Sequence, residues 1–292
     1  MTVWQLLVLL LMAVLANTKV LVQGKFGRSM VKTTQDVVGY NGLLFVFAAL
    51  SFFVLFFEPR FPSATTLLLA ALFGVANVLF QLCYLSAMKS GPVSITVLIA
   101  NFAVIPTSLF GVIAYGEPFS WIKCMGLLLI VISFFLTVKP SAEERSFNWK
   151  WLLLALSAAV CSASCTLLQK SHQHTAFSEE RSLFVTYAYI VAALISAVLV
   201  LLMRAKGNRI TFRLQFSLLW PALLTGFVLA LYQFLVLWLA GEMDSMVMFP
   251  VNSSTCILVS FLFGILFFKD RLSVRQWIGS AIGIAAVVLI SL

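Results

Sequence analysis

The chain has 292 residues, of which 62% are hydrophobic and 10% charged, with a mean hydropathy of +1.07. Soluble chains run near half apolar and about a quarter charged, so a soluble fold is excluded. The net charge of +9 raises nucleic acid as a partner, but the basic residues are scattered among short loops and form no continuous stripe, which excludes it. The partner that remains is the lipid bilayer.

A helix needs about 20 apolar residues to cross the hydrocarbon core, and the chain offers ten such runs. They are continuous rather than alternating, which argues for helices and against a barrel. The first, Val3–Val22, lacks the basic flank of a cleavable leader; it carries Asn17 and Lys19. Lys19 reads as a cation that snorkels to the interface, and Asn17, two residues deeper, as a cavity candidate. The second run, Val38–Phe57, stops at Glu58-Pro59-Arg60. In the third, Thr66–Met88, the polar residues Asn77, Gln81 and Tyr84 recur at helical spacing and share one face. Ser90-Gly91-Pro92 separates it from the fourth, Val93–Tyr115, where Ser94, Asn101 and Ser108 form one stripe. Pro106 should free the carbonyl of Phe102 there. Glu117 precedes the fifth run, Phe119–Val138, and reads as a cap on its helix.

Lys139-Pro140 opens the longest central polar stretch, up to Asn148, which splits the chain into residues 1–140 and 141–292. The sixth run is Trp149–Leu168. His172 and His174 follow in a polar connection, a solvated loop rather than a metal site, since only two ligands are in reach. The seventh run is Leu183–Met203 and the eighth Phe216–Ala240, with Thr225, Tyr232 and Gln233. The ninth, Met246–Phe268, has Asn252, Ser253, Ser254 and Thr255 after Pro250, which should free Met246. The tenth, Val274–Leu292, carries Gly279 and Gly283, a close-packing face whose partner is internal or a second copy, so a homodimer is an open expectation. Trp4, Trp121, Trp149, Trp151, Trp220 and Trp277 fall near span ends, where interfacial belts place them. The five cysteines are odd in number and form no CxxC pair, so neither a disulfide framework nor a zinc site is suggested, and no cofactor is implied.

The two halves repeat each other. Residues 70–89 align with 222–241, matching Gly74 with Gly226, Leu79 with Leu231, Phe80 with Tyr232 and Gln81 with Gln233. Leu109, Phe110, Gly111, Ser120 and Gly126 align with Leu262, Phe263, Gly264, Ser273 and Gly279, and Glu117 with Asp270 in kind. Five spans per half is an odd number, so the second half enters the membrane inverted. The expected fold is an all-α membrane protein of ten transmembrane helices in two inverted five-helix repeats. Basic residues crowd the connections after the odd-numbered spans, which places both termini on the extracytoplasmic side by the positive-inside rule.

The pattern Gly116-Glu117-Pro118-Phe119-Ser120, then Gly126, resembles the recurrent repeat end of the drug/metabolite transporter superfamily, EamA type. Lys269-Asp270-Arg271-Leu272-Ser273, followed by Gly279 and Gly283, is its second copy, and Phe249-Pro250-Val251-Asn252 is similar to that family too. The resemblance spans essentially the whole chain. It implies ten helices and transport of amino acids, metabolites, nucleotide sugars or drugs. Many members are thought to keep both termini in the cytoplasm, which the charge count here opposes. The membrane glutamate of the small multidrug relatives has no counterpart in the first span.

The expected function is a plasma (inner) membrane transporter of a small polar or zwitterionic, amino-acid-like solute, working by alternating access and in the direction of export. Asn17, Asn77, Gln81, Tyr84, Asn101, Tyr232, Gln233 and Asn252 are the substrate-binding candidates, because polar side chains in a span should face the bundle interior or a cavity. The hydroxyls of the fourth and ninth spans read instead as packing groups. All ten acids lie at span ends or in loops, so no proton relay is evident, and facilitated diffusion or exchange is the simpler coupling. A receptor or scaffold and a multidrug efflux carrier are the alternatives. An enzyme is disfavoured, because no catalytic cluster, nucleophile motif or P-loop occurs.

Overall fold

The computed structural model of the chain describes residues 2–30, 34–56, 58–90, 93–137, 148–205, 216–268 and 273–291. The described residues form helices α1 (Val3–Met30), α2 (Thr34–Leu55), α3 (Ala64–Ser90), α4 (Val93–Asn101), α5 (Val104–Tyr115), α6 (Trp121–Thr137), α7 (Trp149–Gln173), α8 (Arg181–Ala205), α9 (Phe216–Glu242), α10 (Ser245–Phe268) and α11 (Val274–Ser291), and no strand. Among the described residues, six helical segments are long and apolar enough to cross a membrane, and four shorter apolar segments accompany them. A multi-pass membrane protein results, in which each helix satisfies its own backbone where lipid cannot.

The apolar runs locate the helices, with one difference. The fourth run is two helices, α4 and α5, interrupted at Phe102 and Ala103. The missing N–H of Pro106 is the cause. The carbonyl expected to be free is not: Phe102 O accepts the N–H of Ile105 at 3.0 Å, and Ala103 O accepts the N–H and hydroxyl of Thr107 at 3.3 and 2.9 Å. The chain tightens to i→i+3 bonding instead of leaving a carbonyl for water. The break also interrupts the stripe expected through Asn101 and Ser108. Helix α10 runs unbroken through Pro250.

The fold divides into two compact units, each drawing on both halves of the chain. Unit 1 comprises Met1–Val14, Leu79–Lys170 and Leu239–Leu292; unit 2 comprises Leu15–Val78 and Ser171–Trp238.

In unit 1, α6 packs on α11 and α5 on α10, so the fifth and fourth runs lie against their own repeat mates, the tenth and ninth. Gly126 leaves no room for a Cβ beside Ile290, and Gly279 none beside Leu136 and Thr137. Ser133 Oγ donates to Gly279 O at 2.7 Å, and Gln276 Nε2 to Thr137 O at 3.2 Å. Residue numbers rise along α6 as they fall along α11, so the pair is antiparallel. The Gly279/Gly283 face thus packs inside the chain, with Ser133 against Gly283. Apolar side chains gain nothing by leaving lipid for each other, so close approach at small residues and hydrogen bonds hold such a pair.

Unit 2 repeats the pattern. Helix α2 packs on its mate α8, with Gly42 at Ser196 and Phe45 stacked on Tyr189 at 5.8 Å, again antiparallel. The matched glycines exchange partners: a Cβ at Gly74 would stand 2.6 Å from Ala188 O in α8, and one at Gly226 would stand 2.7 Å from Phe47 Cβ in α2. The core here is aromatic, with Phe73 edge-on to Phe184 and Tyr189 at 5.6 and 6.4 Å and Phe56 stacked on Phe234 at 4.3 Å.

Trp4, Trp121, Trp149, Trp220 and Trp277 are exposed, as a belt requires. Trp151 is not: it is 3% exposed, packs between Ala87 and Ala155, and donates from Nε1 to Thr96 Oγ1 at 2.8 Å. Residues two apart on a helix point to opposite sides, so Trp149 faces out and Trp151 in.

Candidate functional site

The expected solute-binding side chains divide between the units. Asn17, Asn77, Tyr232 and Gln233 belong to unit 2; Gln81, Tyr84, Asn101 and Asn252 belong to unit 1. Asn17 and Asn77 are buried and the other six half-buried. None is turned fully to the lipid side. The Tyr84 ring stacks on Phe80 at 5.4 Å, and Asn252 Oδ1 accepts the Cys256 thiol at 3.8 Å. Asn101 ends α4, just before the turn that separates it from α5. Lys19 is half-buried in α1.

The hydroxyls mostly turn to their own helix. Ser108 donates to Val104 O at 2.6 Å, Thr225 to Pro221 O at 2.7 Å and Thr255 to Val251 O at 2.7 Å, the usual back-bonding of hydroxyls within a helix. Ser254 differs: it is 3% exposed and its Oγ has no partner among the described residues. The Ser94 side chain and Asp270 lie outside the described residues.

The charged arrangement that the structure builds in unit 1 was not legible as such. Helix α7 continues past Leu168, where the apolar run stops, to Gln173. That carries Lys170 into the fold, where its side chain is 4% exposed and its Nζ stands 2.7 Å from Glu117 Oε1. Nζ also donates to the carbonyls of Ala240 at 3.0 Å and Met243 at 2.8 Å. An ammonium has three N–H donors, so its capacity is filled.

Glu117 is held from the other side. Gly116, at φ 64°, closes α5 with its N–H on Gly111 O, and the N–H of Glu117 bonds the same carbonyl at 3.1 Å. This left-handed turn suits glycine. It swings the carboxylate over Gly111, where a Cβ would collide with it. Oε2 accepts the N–H of Ser245 at 2.6 Å. Glu117 therefore caps a helix, but not the one that follows it in the chain. It sits at the start of α10, where the free N–H groups of a helix favour an anion. Lys123 and Asp244 form a second, more exposed pair alongside, at 3.2 Å.

In this cluster the carboxylate and the ammonium are engaged by each other and by backbone groups. It ties the α5–α6 turn, the end of α7 and the α9–α10 turn into one knot. Removing one partner of a buried pair strands a charge at a cost of about 3–5 kcal/mol. No group of His, Cys, Asp and Glu among the described residues has the arrangement of a metal site.

The family model described as "EamA-like transporter family" matches residues 3–139 and, a second time, residues 149–292. A solved structure described only as "Crystal structure of protein" has the same fold, at a TM-score of 0.77 and 14% identity, covering 99% of this chain and 96% of that one. No curated protein matches the chain.

Proposed function

Given that the chain belongs to the EamA-like transporter family, with both halves matching the repeat, we propose that it moves a small polar or zwitterionic solute, amino-acid-like, across the plasma membrane. The two repeats, residues 1–140 and 141–292, act as the functional halves. They alternate access to the solute from the two sides, and the net direction is export.

One observation carries this reading. Helices α2, α5 and α6 pack on their own repeat mates, and for α2 and α6 the contacts run antiparallel, with a close-approach glycine on each member of the α6–α11 pair. A pseudo-two-fold axis in the membrane plane generates that arrangement, and it gives a protein two related ways to expose a solute. The half-buried amides at the matched positions Gln81 and Gln233 are the side chains proposed to hold the solute, with Asn77, Tyr84 and Tyr232 from the same two helices. Amides and phenols with no free charge suit a zwitterion better than an ion. With the acids outside the spans, facilitated diffusion or exchange is the proposed energetics.

A thermal-shift screen in detergent tests the substrate class, because a ligand that binds the folded form raises the melting temperature by mass action. Amino acids should raise it, and the rise should vanish in Gln81→Leu and Gln233→Leu. A shift only with nucleotide sugars or cationic drugs would replace the proposed substrate.

A further inference from the structure

A second polar cluster lies entirely in unit 2, and the transport reading gives it no role. His172, in the last turn of α7, is 0% exposed, and both ring nitrogens have partners. Nε2 lies 3.2 Å from Thr66 Oγ1, and Nδ1 lies 3.0 Å from Gln173 Nε2. The Gln173 amide is oriented by its other end, because Oε1 accepts the Nε–H of Arg181 at 2.8 Å. Arginine only donates, so the oxygen must face it and the NH2 must face His172.

The ring state follows. Nδ1 accepts, Nε2 carries the proton, and Nε2–H donates to Thr66. Beyond Thr66, Ser63 Oγ stands 3.0 Å from Thr66 Oγ1 and 2.9 Å from Glu180 Oε2, and the Ser63 N–H reaches the same carboxylate oxygen at 2.9 Å. Ser63 thus bridges Thr66 and a carboxylate that only accepts, at the end of the cluster opposite a guanidinium that only donates. Burial raises the Glu180 carboxyl, but the hydroxyls of Thr66 and Ser63 and the Ser63 N–H outweigh it and hold it below the usual carboxylate range.

A second proton on His172 has no place in this chain. Nδ1–H would point at the Gln173 NH2, and turning that amide over would point its NH2 at Arg181. The ring packs on Phe184 at 4.6 Å and is 0% exposed, so a new acceptor for Nδ1–H requires the cluster to open. The charged groups around it are Glu180 from the turn before α8 and Arg181 from α8, of opposite sign. Glu58 and Arg60, between α2 and α3, pair with each other at 3.0 Å, and Glu58 also accepts the Ser182 hydroxyl. On α7 itself, Lys170 is engaged by Glu117, and His174, in the turn after α7, is exposed.

We propose that His172 is an acid-operated release for this end of unit 2: the closed cluster accepts only the neutral Nε2–H ring, so acid on this side favours the state in which the 58–66 and 172–182 segments separate. This goes beyond the transport reading and does not depend on the substrate.

Hydrogen exchange of the detergent-solubilised full chain tests it, with rates corrected for the intrinsic pH dependence of exchange. A ring that titrates at ~6.5 when opened and stays neutral when closed raises the opening equilibrium about tenfold between pH 7.5 and pH 5.5. That rise is expected in peptides from 58–66 and 174–182, and not in peptides from α6 and α11. In His172→Gln, which keeps an N–H donor toward Thr66 but cannot titrate, the rise should disappear. An equal rise in His172→Gln, or none in the wild type, overturns the proposal. If His172→Gln fails to fold, the wild-type ring decides. The chain has two histidines, so imidazole 15N spectra of His174→Gln report His172 alone. A neutral Nε2–H ring at pH 7.5 is expected; an Nδ1–H ring or an imidazolium at that pH overturns the proposal.

Discussion

At the scale of single residues, burial assigns roles that residue type alone does not. Lys170 and Glu117 lie at the edges of apolar runs, and from the sequence Glu117 reads as the cap of the next helix. The structure joins them at 2.7 Å with side chains 4% and 9% exposed. The missed signal is the extra turn of α7, which carries Lys170 past the point where hydropathy ends. Lys170→Met should leave Glu117 buried without its cation and cost about 3–5 kcal/mol. Adding Glu117→Gln should restore much of that, since no charge is then stranded. Melting temperatures of the single and double variants check this; a double variant no better than the single would show that the pair is not the source of the cost. Trp151 teaches the same lesson, because hydropathy cannot distinguish it from Trp149 two residues away.

At the scale of helices, the runs of apolar residues located the spans, because in a bilayer length and hydropathy are the constraint itself, while α1 continues past Val22 to Met30 and α7 past Leu168 to Gln173. What they could not give is how helices meet, since lipid-facing and buried positions are equally apolar. Small residues carry that information. Gly74, Gly126, Gly226 and Gly279 were legible as repeat mates, and their reciprocal contacts show why they match. A Cβ at Gly226 would stand 2.7 Å from Phe47 Cβ and 2.9 Å from Ala48 N, whereas at Gly39 it meets nothing within 4 Å. Gly226→Ala should therefore destabilise by about 1–3 kcal/mol through overpacking. Gly39→Ala in α2 should be neutral or stabilising, by up to about 1 kcal/mol. Equal melting temperatures for the two variants would contradict the close approach of α9 and α2. The α4/α5 break was legible in Pro106 but misread in its consequence, because local i→i+3 bonds satisfied the carbonyl first.

At the scale of the whole molecule, the account is of an EamA-family membrane transporter built from two matching halves. The repeat was visible in the sequence and the antiparallel packing of mates follows from it. The eight candidate binding residues were legible as polar positions in apolar helices, and all of them are buried or half-buried. Hydropathy does not say which of them a solute touches. Orientation rests on the basic residues of the odd-numbered connections. A C-terminal alkaline phosphatase fusion should be active, and a silent phosphatase with a bright cytoplasmic reporter would reverse the topology.

The central claim is that this chain carries a small polar solute through repeat-matched amides. Uptake of a radiolabelled amino acid into proteoliposomes tests it most directly, with wild type beside Gln81→Leu and Gln233→Leu. The account predicts saturable, trans-stimulated flux in the wild type, with no accumulation above equilibrium when a pH gradient is imposed. It predicts a loss of roughly fivefold to a hundredfold in either variant at equal insertion, since a buried polar contact is worth about 1–3 kcal/mol. Flux that survives both substitutions, or accumulation driven by the pH gradient alone, would contradict it.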